Sequence, residues 1–168
     1  QGKALILLGA RQTGKTTLIE KILESRQFLS LNGDDSDVRE LFLQPNVSRL
    51  KNLFGKSNII FIDEAQRIAD IGLVLKICTD RLKGVQVIAS GSSSFELANK
   101  LNEPLTGRNR KFYLYPLSIK EVVLAYGKIQ VGKELDSFMT FGMYPAIVNA
   151  QGREEKATLI KELAGDYL

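Results

Sequence analysis

Residues 9–16 read Gly-Ala-Arg-Gln-Thr-Gly-Lys-Thr, and no other stretch of the chain constrains its fold so strongly. The run meets the pattern G-x-x-x-x-G-K-[ST] at every specified position. An apolar segment, Ala4-Leu5-Ile6-Leu7-Leu8, precedes it. After it comes Thr17-Leu18-Ile19-Glu20-Lys21-Ile22-Leu23-Glu24, with apolar residues 18, 19, 22 and 23 on one helical face. Strand, glycine loop and helix together are the setting in which such a run grips phosphate. Gly9 and Gly14 let the main chain curl so that successive N–H groups point at phosphate oxygens. The expected binding set is Gly9, Ala10, Arg11, Gln12, Thr13, Gly14, Lys15, Thr16 and Thr17. The helix N-terminus adds partial positive charge, Lys15 reaches the terminal phosphates, and the Thr16 hydroxyl is placed to ligate Mg2+. A glycine turn that happens to contain Lys-Thr is the bland alternative, and the flanking elements make it the poorer one.

A second segment supplies acids. Asn58-Ile59-Ile60-Phe61-Ile62 is an apolar strand pattern that ends in Asp63-Glu64. A fully buried strand delivers Asp63 to the C-terminal edge of a sheet, beside the glycine loop, where it holds the magnesium shell. Glu64, one residue on, is then the group that orients and deprotonates an attacking water. Two acids capping the next helix would be the alternative, but the phosphate loop upstream favours the catalytic reading. An adjacent glutamate also separates hydrolases of this type from small-molecule kinases, which need no water-activating base there.

The next strand pattern, Val85-Gln86-Val87-Ile88-Ala89, runs into Ser90-Gly91-Ser92-Ser93-Ser94. A polar side chain at that strand end would touch the γ-phosphate or the water. Ser92 is the first choice as this catalytic sensor, with Ser90 close behind. Arg108, in Leu105-Thr106-Gly107-Arg108, is a candidate arginine finger, acting in its own subunit or across an oligomer interface. The competing reading is a solvated turn arginine, one of three cations with Arg110 and Lys111. Guanine recognition fits poorly. The nearest match to N-K-x-D is Asn99-Lys100-Leu101-Asn102, with an amide in the acid's place, and residues 63–66 read D-E-A-Q rather than D-x-x-G. ATP is therefore expected over GTP.

Composition narrows the chemistry further. With no histidine, a His-based triad, proton shuttle or zinc site cannot exist, so any general base is a carboxylate, Lys, Tyr or Cys. The one cysteine, Cys78, excludes an internal disulfide and suits a reducing cytoplasm. It falls on an apolar helical face with Ile71, Val74, Leu75 and Leu82, where a buried, bland thiol is expected. The net charge of +4 is spread evenly between the two halves, so nucleic acid is conceivable but not indicated. The cations beside Phe112, Tyr113 and Tyr115 are explained by strand alternation. No apolar run approaches the ~20 residues needed to cross a bilayer, and no signal peptide is visible. A cytoplasmic protein without membrane attachment is expected.

Apolar runs alternate with amphipathic helical patterns, which predicts βαβ units and a parallel sheet. Strands are expected at 3–8, 28–32, 58–63, 85–90 and 111–115. Helices are expected at 15–25, about 36–43, 47–54, 70–83, 94–102 and 118–126. Ser93-x-x-Glu96 and Ser118-x-x-Glu121 look like capping boxes, Pro116 stops the last strand, and Asp34-Asp35 form a turn and cap. Beyond residue 127 the strand signals fade. Residues 133–142 and 153–164 look helical, broken at Tyr144-Pro145 and Gln151-Gly152. The expected organisation is an ATPase core over 1–127 and a helical appendage over 128–168. The chain opens at Gln1 without a Met, so it reads as a piece of a longer protein, the appendage beginning a C-terminal region that is cut short.

Taken as a set, these strings resemble the AAA+ superfamily, and within it the prokaryotic ATPases whose loop reads G-A-R-Q-x-G-K-T. The matching pieces are Gly9 to Thr17, Phe61-Ile62-Asp63-Glu64-Ala65-Gln66, Ser90 to Ser94, Leu105 to Arg108, Tyr115-Pro116-Leu117-Ser118 and Gly142-Met143-Tyr144-Pro145. The resemblance implies a three-layer α-β-α P-loop NTPase core with a parallel sheet in the order 5-1-4-3-2 and a small C-terminal helical segment. It also implies, in longer relatives, a C-terminal domain of unknown function similar to restriction-type nucleases. The expected activity is magnesium-dependent ATP hydrolysis that drives a conformational change in an attached domain or protein client, with a homo-oligomer left open. The alternative from another class is a nucleotide-gated switch that binds ATP or ADP with negligible turnover.

Overall fold

The structure is a computed structural model that describes residues 2–91 and 105–165. By internal contacts the chain divides into two compact units, one of Gln1–Arg11 with Lys15–Leu114 and the other of Gln12–Gly14 with Tyr115–Leu168.

The first unit is built on five parallel strands: β1 (Ala4–Gly9), β2 (Leu29–Asn32), β3 (Ile59–Asp63), β4 (Gln86–Gly91) and β5 (Asn109–Leu114). Their order is β2-β3-β4-β1-β5, which is the expected 5-1-4-3-2 read from the other edge. Helices α1 (Lys15–Leu23), α2 (Ser36–Leu41), α3 (Val47–Phe54) and α4 (Ile71–Arg81) connect the first four strands. Period-two alternation sorts the strand side chains onto two cores. Ala4, Ile6 and Leu8 of β1, Ile60 and Ile62 of β3, and Val87 and Ala89 of β4 pack with Leu50 and Phe54 of α3 and Leu75 of α4. On the opposite face Leu7, Phe61 and Ile88 pack with Ile19 and Leu23 of α1. Two cores on one sheet make the three-layer α-β-α arrangement of a P-loop NTPase.

The central strands are continuous apolar runs because both faces are covered. Ile60, Phe61 and Ile62 are wholly buried, each burial stabilising the fold by about 1.5–3 kcal/mol. On α4, Ile71, Val74, Leu75, Cys78 and Leu82 form the expected buried face. On α1 the buried seam is narrower than the apolar stripe, since Ile19 and Leu23 are covered while Leu18 and Ile22 are exposed. Asp35 caps α2, its side chain accepting from Asp37 N at 2.9 Å.

The second unit is helical, with α5 (Ile119–Tyr126), α6 (Lys128–Lys133), α7 (Leu135–Phe141), α8 (Pro145–Asn149) and α9 (Arg153–Gly165). The Ser118/Glu121 capping box starts α5, with the Glu121 carboxylate accepting from Ser118 N at 2.7 Å. Those hydrogen bonds, from the Ser118 side chain first and its backbone second, hold the Glu121 carboxyl below its ordinary value. The helix expected over 133–142 is α7, and α6, which the sequence reading did not include, precedes it and meets it at Glu134. There Lys156 of α9 is buried and donates to Ser137 Oγ at 2.9 Å and to Glu134 Oε2 at 3.4 Å. Tyr144-Pro145 does interrupt the helices, but Pro145 then serves as the first residue of α8. The helix expected at 94–102 and the Ser93/Glu96 box lie outside the described residues.

Candidate functional site

β1 leads directly into the loop at 10–14, and α1 opens at Lys15. Within the loop Gln12 (φ 59°) and Gly14 (φ 88°) take left-handed conformations, separated by Thr13, which does not. Alternation of this kind turns consecutive main-chain N–H groups toward one concavity and makes an anion-binding nest. Lys15 is only 5% exposed, and its Nζ donates to the carbonyls of Gly9 at 3.1 Å and Ala10 at 2.7 Å. Burial lowers its pKa from the ordinary 10.5, the charges of Glu64 and then Asp63 oppose that shift, and Arg11 reinforces it. The ammonium therefore sits in a desolvated place with two acids close enough to act on it.

Three separate donors hold the Asp63 carboxylate. Thr16 Oγ1, from the first turn of α1, donates to Asp63 Oδ2 at 2.6 Å. Glu64 N donates to Oδ1 at 3.0 Å, and Ser90 Oγ donates to the same oxygen. Sheet register explains the last contact: Ile62 of β3 pairs with Ala89 of β4, so the next residue on each strand, Asp63 and Ser90, lie side by side. Asp63 is 9% exposed and Ser90 wholly buried, so these charge-assisted bonds form away from competing water.

Glu64 follows at φ 45°, ψ 42°, a left-handed conformation for a non-glycine residue. Its carboxylate accepts from Gln66 Nε2, and its carbonyl accepts from Arg67 N at 3.0 Å in the 3-10 turn Ala65–Arg67. Across the sheet edge, Gly33 N donates to Asp63 O at 2.8 Å. A Cβ on Gly33 would collide with the Glu64 carbonyl oxygen and stand 3.2 Å from both Asp63 O and Glu64 C. Only glycine lets the end of β2 approach this turn so closely.

The structure thus brings Lys15, Thr16, Asp63 and Glu64 together and adds Ser90. Ser92, the first choice for the strand-end sensor, lies outside the described residues. Arg108 is not part of this group in its own chain. Its carbonyl accepts from Ala4 N at 2.9 Å where the strands begin, and its Nε pairs with Asp80 at 2.7 Å. Lys15 lies where the strands end, and the six residues of β1 alone span roughly 20 Å. The same-subunit finger role expected for Arg108 is therefore corrected: a residue just before a parallel strand sits at the wrong edge of the sheet. Two contributors were given no role from the sequence, Gln66 and Gly33. Gln66 stood two residues past the acid pair, and Gly33 directly followed a strand aimed at the same edge.

No helix among the described residues is long and apolar enough to cross a membrane. A solved structure, the Walker-type ATPase of Pyrococcus abyssi, superposes with a TM-score of 0.65 over 96% of this chain and 67% of its own, at 17% identity. That likeness shows the P-loop NTPase fold. An uncharacterised protein of Mycobacterium tuberculosis is 32% identical over 119 residues, 70% of this chain. An uncharacterised protein of Methanocaldococcus jannaschii is 27% identical across 95% of it. The chain spans 26% of the length of the mycobacterial relative and 40% of that of the archaeal one. Residues 1–123 match the AAA domain family across β1 to β5, the phosphate loop and the Asp63-Glu64 strand end, and with that match over most of its length the chain belongs to the AAA domain family.

Proposed function

We propose that this chain binds ATP with Mg2+ and hydrolyses it. The observation that carries the proposal is the 2.6 Å hydrogen bond from Thr16 Oγ1 to Asp63 Oδ2, which joins the first turn of the loop helix to the end of a neighbouring strand. A hydroxyl and a carboxylate oxygen are hard donors of the kind magnesium takes. Among the described residues no group of three or more His, Cys, Asp or Glu gathers as a metal cage. That fits an ion held through one carboxylate, one hydroxyl and the substrate's own phosphates. When bound, the ion neutralises phosphate charge.

In this reading the loop amides from Gly9 to Thr17 and the Lys15 ammonium bind the β- and γ-phosphates. Lys15 would exchange its two carbonyl acceptors for phosphate oxygens, a stronger charge-assisted pairing. The Asp63 carboxylate is aimed by Thr16, Ser90 and the Glu64 amide. Glu64 accepts a proton from the attacking water, and Gln66 orients it. Ser90, or Ser92 beyond it, would sense the γ-phosphate. Phosphoryl transfer needs little covalent help, so placement and charge account for most of the rate gain. An arginine-finger role for Arg108 is confined to an oligomer interface. An attached domain or protein client would receive the conformational change.

Single-turnover phosphate release and equilibrium ATP binding test this together. Lys15→Ala should lose ATP binding. Glu64→Gln should bind ATP as the parent does while phosphate release falls by on the order of a hundredfold or more. Release from the glutamine variant at the parental rate would remove Glu64 from its role. An absence of release from the parent over hours, with binding intact, would favour a nucleotide-gated switch.

A further inference from the structure

The strand-start edge of the first unit has a charge pattern unrelated to the phosphate loop. Each described segment that feeds a strand there carries one cation: Lys3 before β1, Arg26 before β2, Lys56 before β3, Lys83 before β4 and Arg108 before β5. The one carboxylate in those segments is Glu24. Arg108 is paired with Asp80, whereas Lys3, Arg26 and Lys83 form no ion pair among the described residues.

Those three cations border a cleft of about 660 Å³, and among the described residues no carboxylate lines it. Its floor is apolar, with Leu82, Val87 and the Cys78 thiol nearly fully buried beneath it. Gln86 Nε2 donates to the Lys3 carbonyl at 2.8 Å, which fixes the segment carrying one of the cations against β4. A cavity of this size, with an apolar floor and a few polar groups at its mouth, has the build of a small-ligand site. Like charges around a low-dielectric concavity also focus a positive potential inside it. In the absence of an anion, three unpaired cations gathered at one rim repel one another.

We propose that this cleft is a second binding site, for a compact amphiphilic anion: an apolar or aromatic body resting on Leu82 and Val87, with one phosphate, sulfonate or carboxylate group shared by Lys3, Arg26 and Lys83. It lies at the opposite sheet edge from Lys15 and shares no residue with the nucleotide site. The charge pattern supplies attraction, and the floor supplies contact area that a hydrated phosphate alone would not use.

The test titrates the 15N-labelled protein with 8-anilinonaphthalene-1-sulfonate, an aromatic sulfonate, and follows backbone amide shifts. Saturable one-to-one shifts at Lys83, Gly84 and Val85 are expected, and they should persist when ATP and Mg2+ saturate the nucleotide site. Lys3→Glu with Lys83→Glu should weaken the probe about tenfold, since two attractions become repulsions, while ATP affinity stays at the parental value. If that variant folds poorly, Lys3→Gln with Lys83→Gln should show a smaller loss of about threefold. Shifts confined to other surfaces, equal probe affinity in the charge-reversed protein, or complete displacement by ATP would each overturn the proposal. So would displacement by a single-stranded oligonucleotide whose affinity grows with its length, which would mark a nucleic-acid groove.

Discussion

Replacing Gly33 with alanine adds one methyl group at the point where β2 meets the Asp63-Glu64 turn. The new Cβ would overlap the Glu64 carbonyl oxygen and press on Asp63 O and Glu64 C, each 3.2 Å away. All three obstacles are backbone atoms, so no side-chain rotation relieves the clash. The end of β2 must slide away, stretching the 2.8 Å hydrogen bond from Gly33 N to Asp63 O, or the turn must shift. Forced overpacking of this kind costs typically 1–3 kcal/mol, and about 2 kcal/mol is a reasonable centre here. For a chain of this size that lowers Tm by roughly 4–8 °C. Because the displaced group is the backbone of the proposed base, turnover should fall on the order of tenfold or more while ATP affinity changes little. Thermal unfolding and single-turnover phosphate release measure the two effects on the same samples. Gly132→Ala serves as the opposing control, since a Cβ there meets nothing within 4 Å inside α6 and should stabilise by about 0.5–1 kcal/mol. If Gly33→Ala melts with the parent and turns over at its rate, the close approach is not what positions Glu64.

Two further outcomes follow from the same geometry. Ser90→Ala removes one donor from a buried carboxylate, which should destabilise the fold by about 1–3 kcal/mol and raise the magnesium concentration needed for half-maximal activity; an unchanged magnesium titration would remove Ser90 from the metal's support. Burial raises the Cys78 thiol from 9.0 to about 12, so it stays protonated in the fold while the unfolded thiol ionises above 9.0. That contribution is whole below 9.0 and drains by about 1.4 kcal/mol per pH unit between 9.0 and 12. Urea midpoints of the parent and Cys78→Ala should therefore converge as pH climbs through that window, and parallel midpoints would refute the assignment.

The sheet was legible in the sequence because each central strand is buried on both faces and so must be an unbroken apolar run, as in Ile59 to Ile62. The glycine loop and the Asp63-Glu64 pair were legible because their chemistry admits few substitutes at fixed spacing. Other features were not. That Ser90 draws level with Asp63 depends on how β3 and β4 pair, and cross-strand register is not written in either strand alone. The break at Glu134 has no proline or glycine at the junction itself, and it coincides with buried contacts from Lys156, a partner 22 residues away. Of the two placements open to an Arg108 finger, connectivity disfavours the one in its own subunit: parallel strands all start at one edge, so a cation immediately before β5 is remote from a loop that follows β1.

Two adjacent acids at the end of a strand raise a geometric problem that the turn at Glu64 resolves. In continued extended backbone, Asp63 and Glu64 would project to opposite faces of the sheet, and only one could serve the loop. The left-handed conformation at Glu64 ends that alternation. Its charge then acts on the buried Lys15 more strongly than that of Asp63, although it is Asp63 that hydrogen-bonds Thr16, the residue next to Lys15. Such a conformation costs a non-glycine residue on the order of 1–3 kcal/mol and persists only where its surroundings over-determine it. Here those surroundings are identifiable: the Arg67 N–H on the Glu64 carbonyl, the Gln66 amide on its carboxylate, and the bare Cα of Gly33 against its backbone. A glycine at position 64 would relieve the strain but delete the carboxylate, so strain is the necessary consequence of requiring an acid at this bend. The proposed division of labour between Asp63 on the metal and Glu64 on the water therefore rests on one strained residue, and each contact that holds it is a place where turnover can be altered without touching ATP.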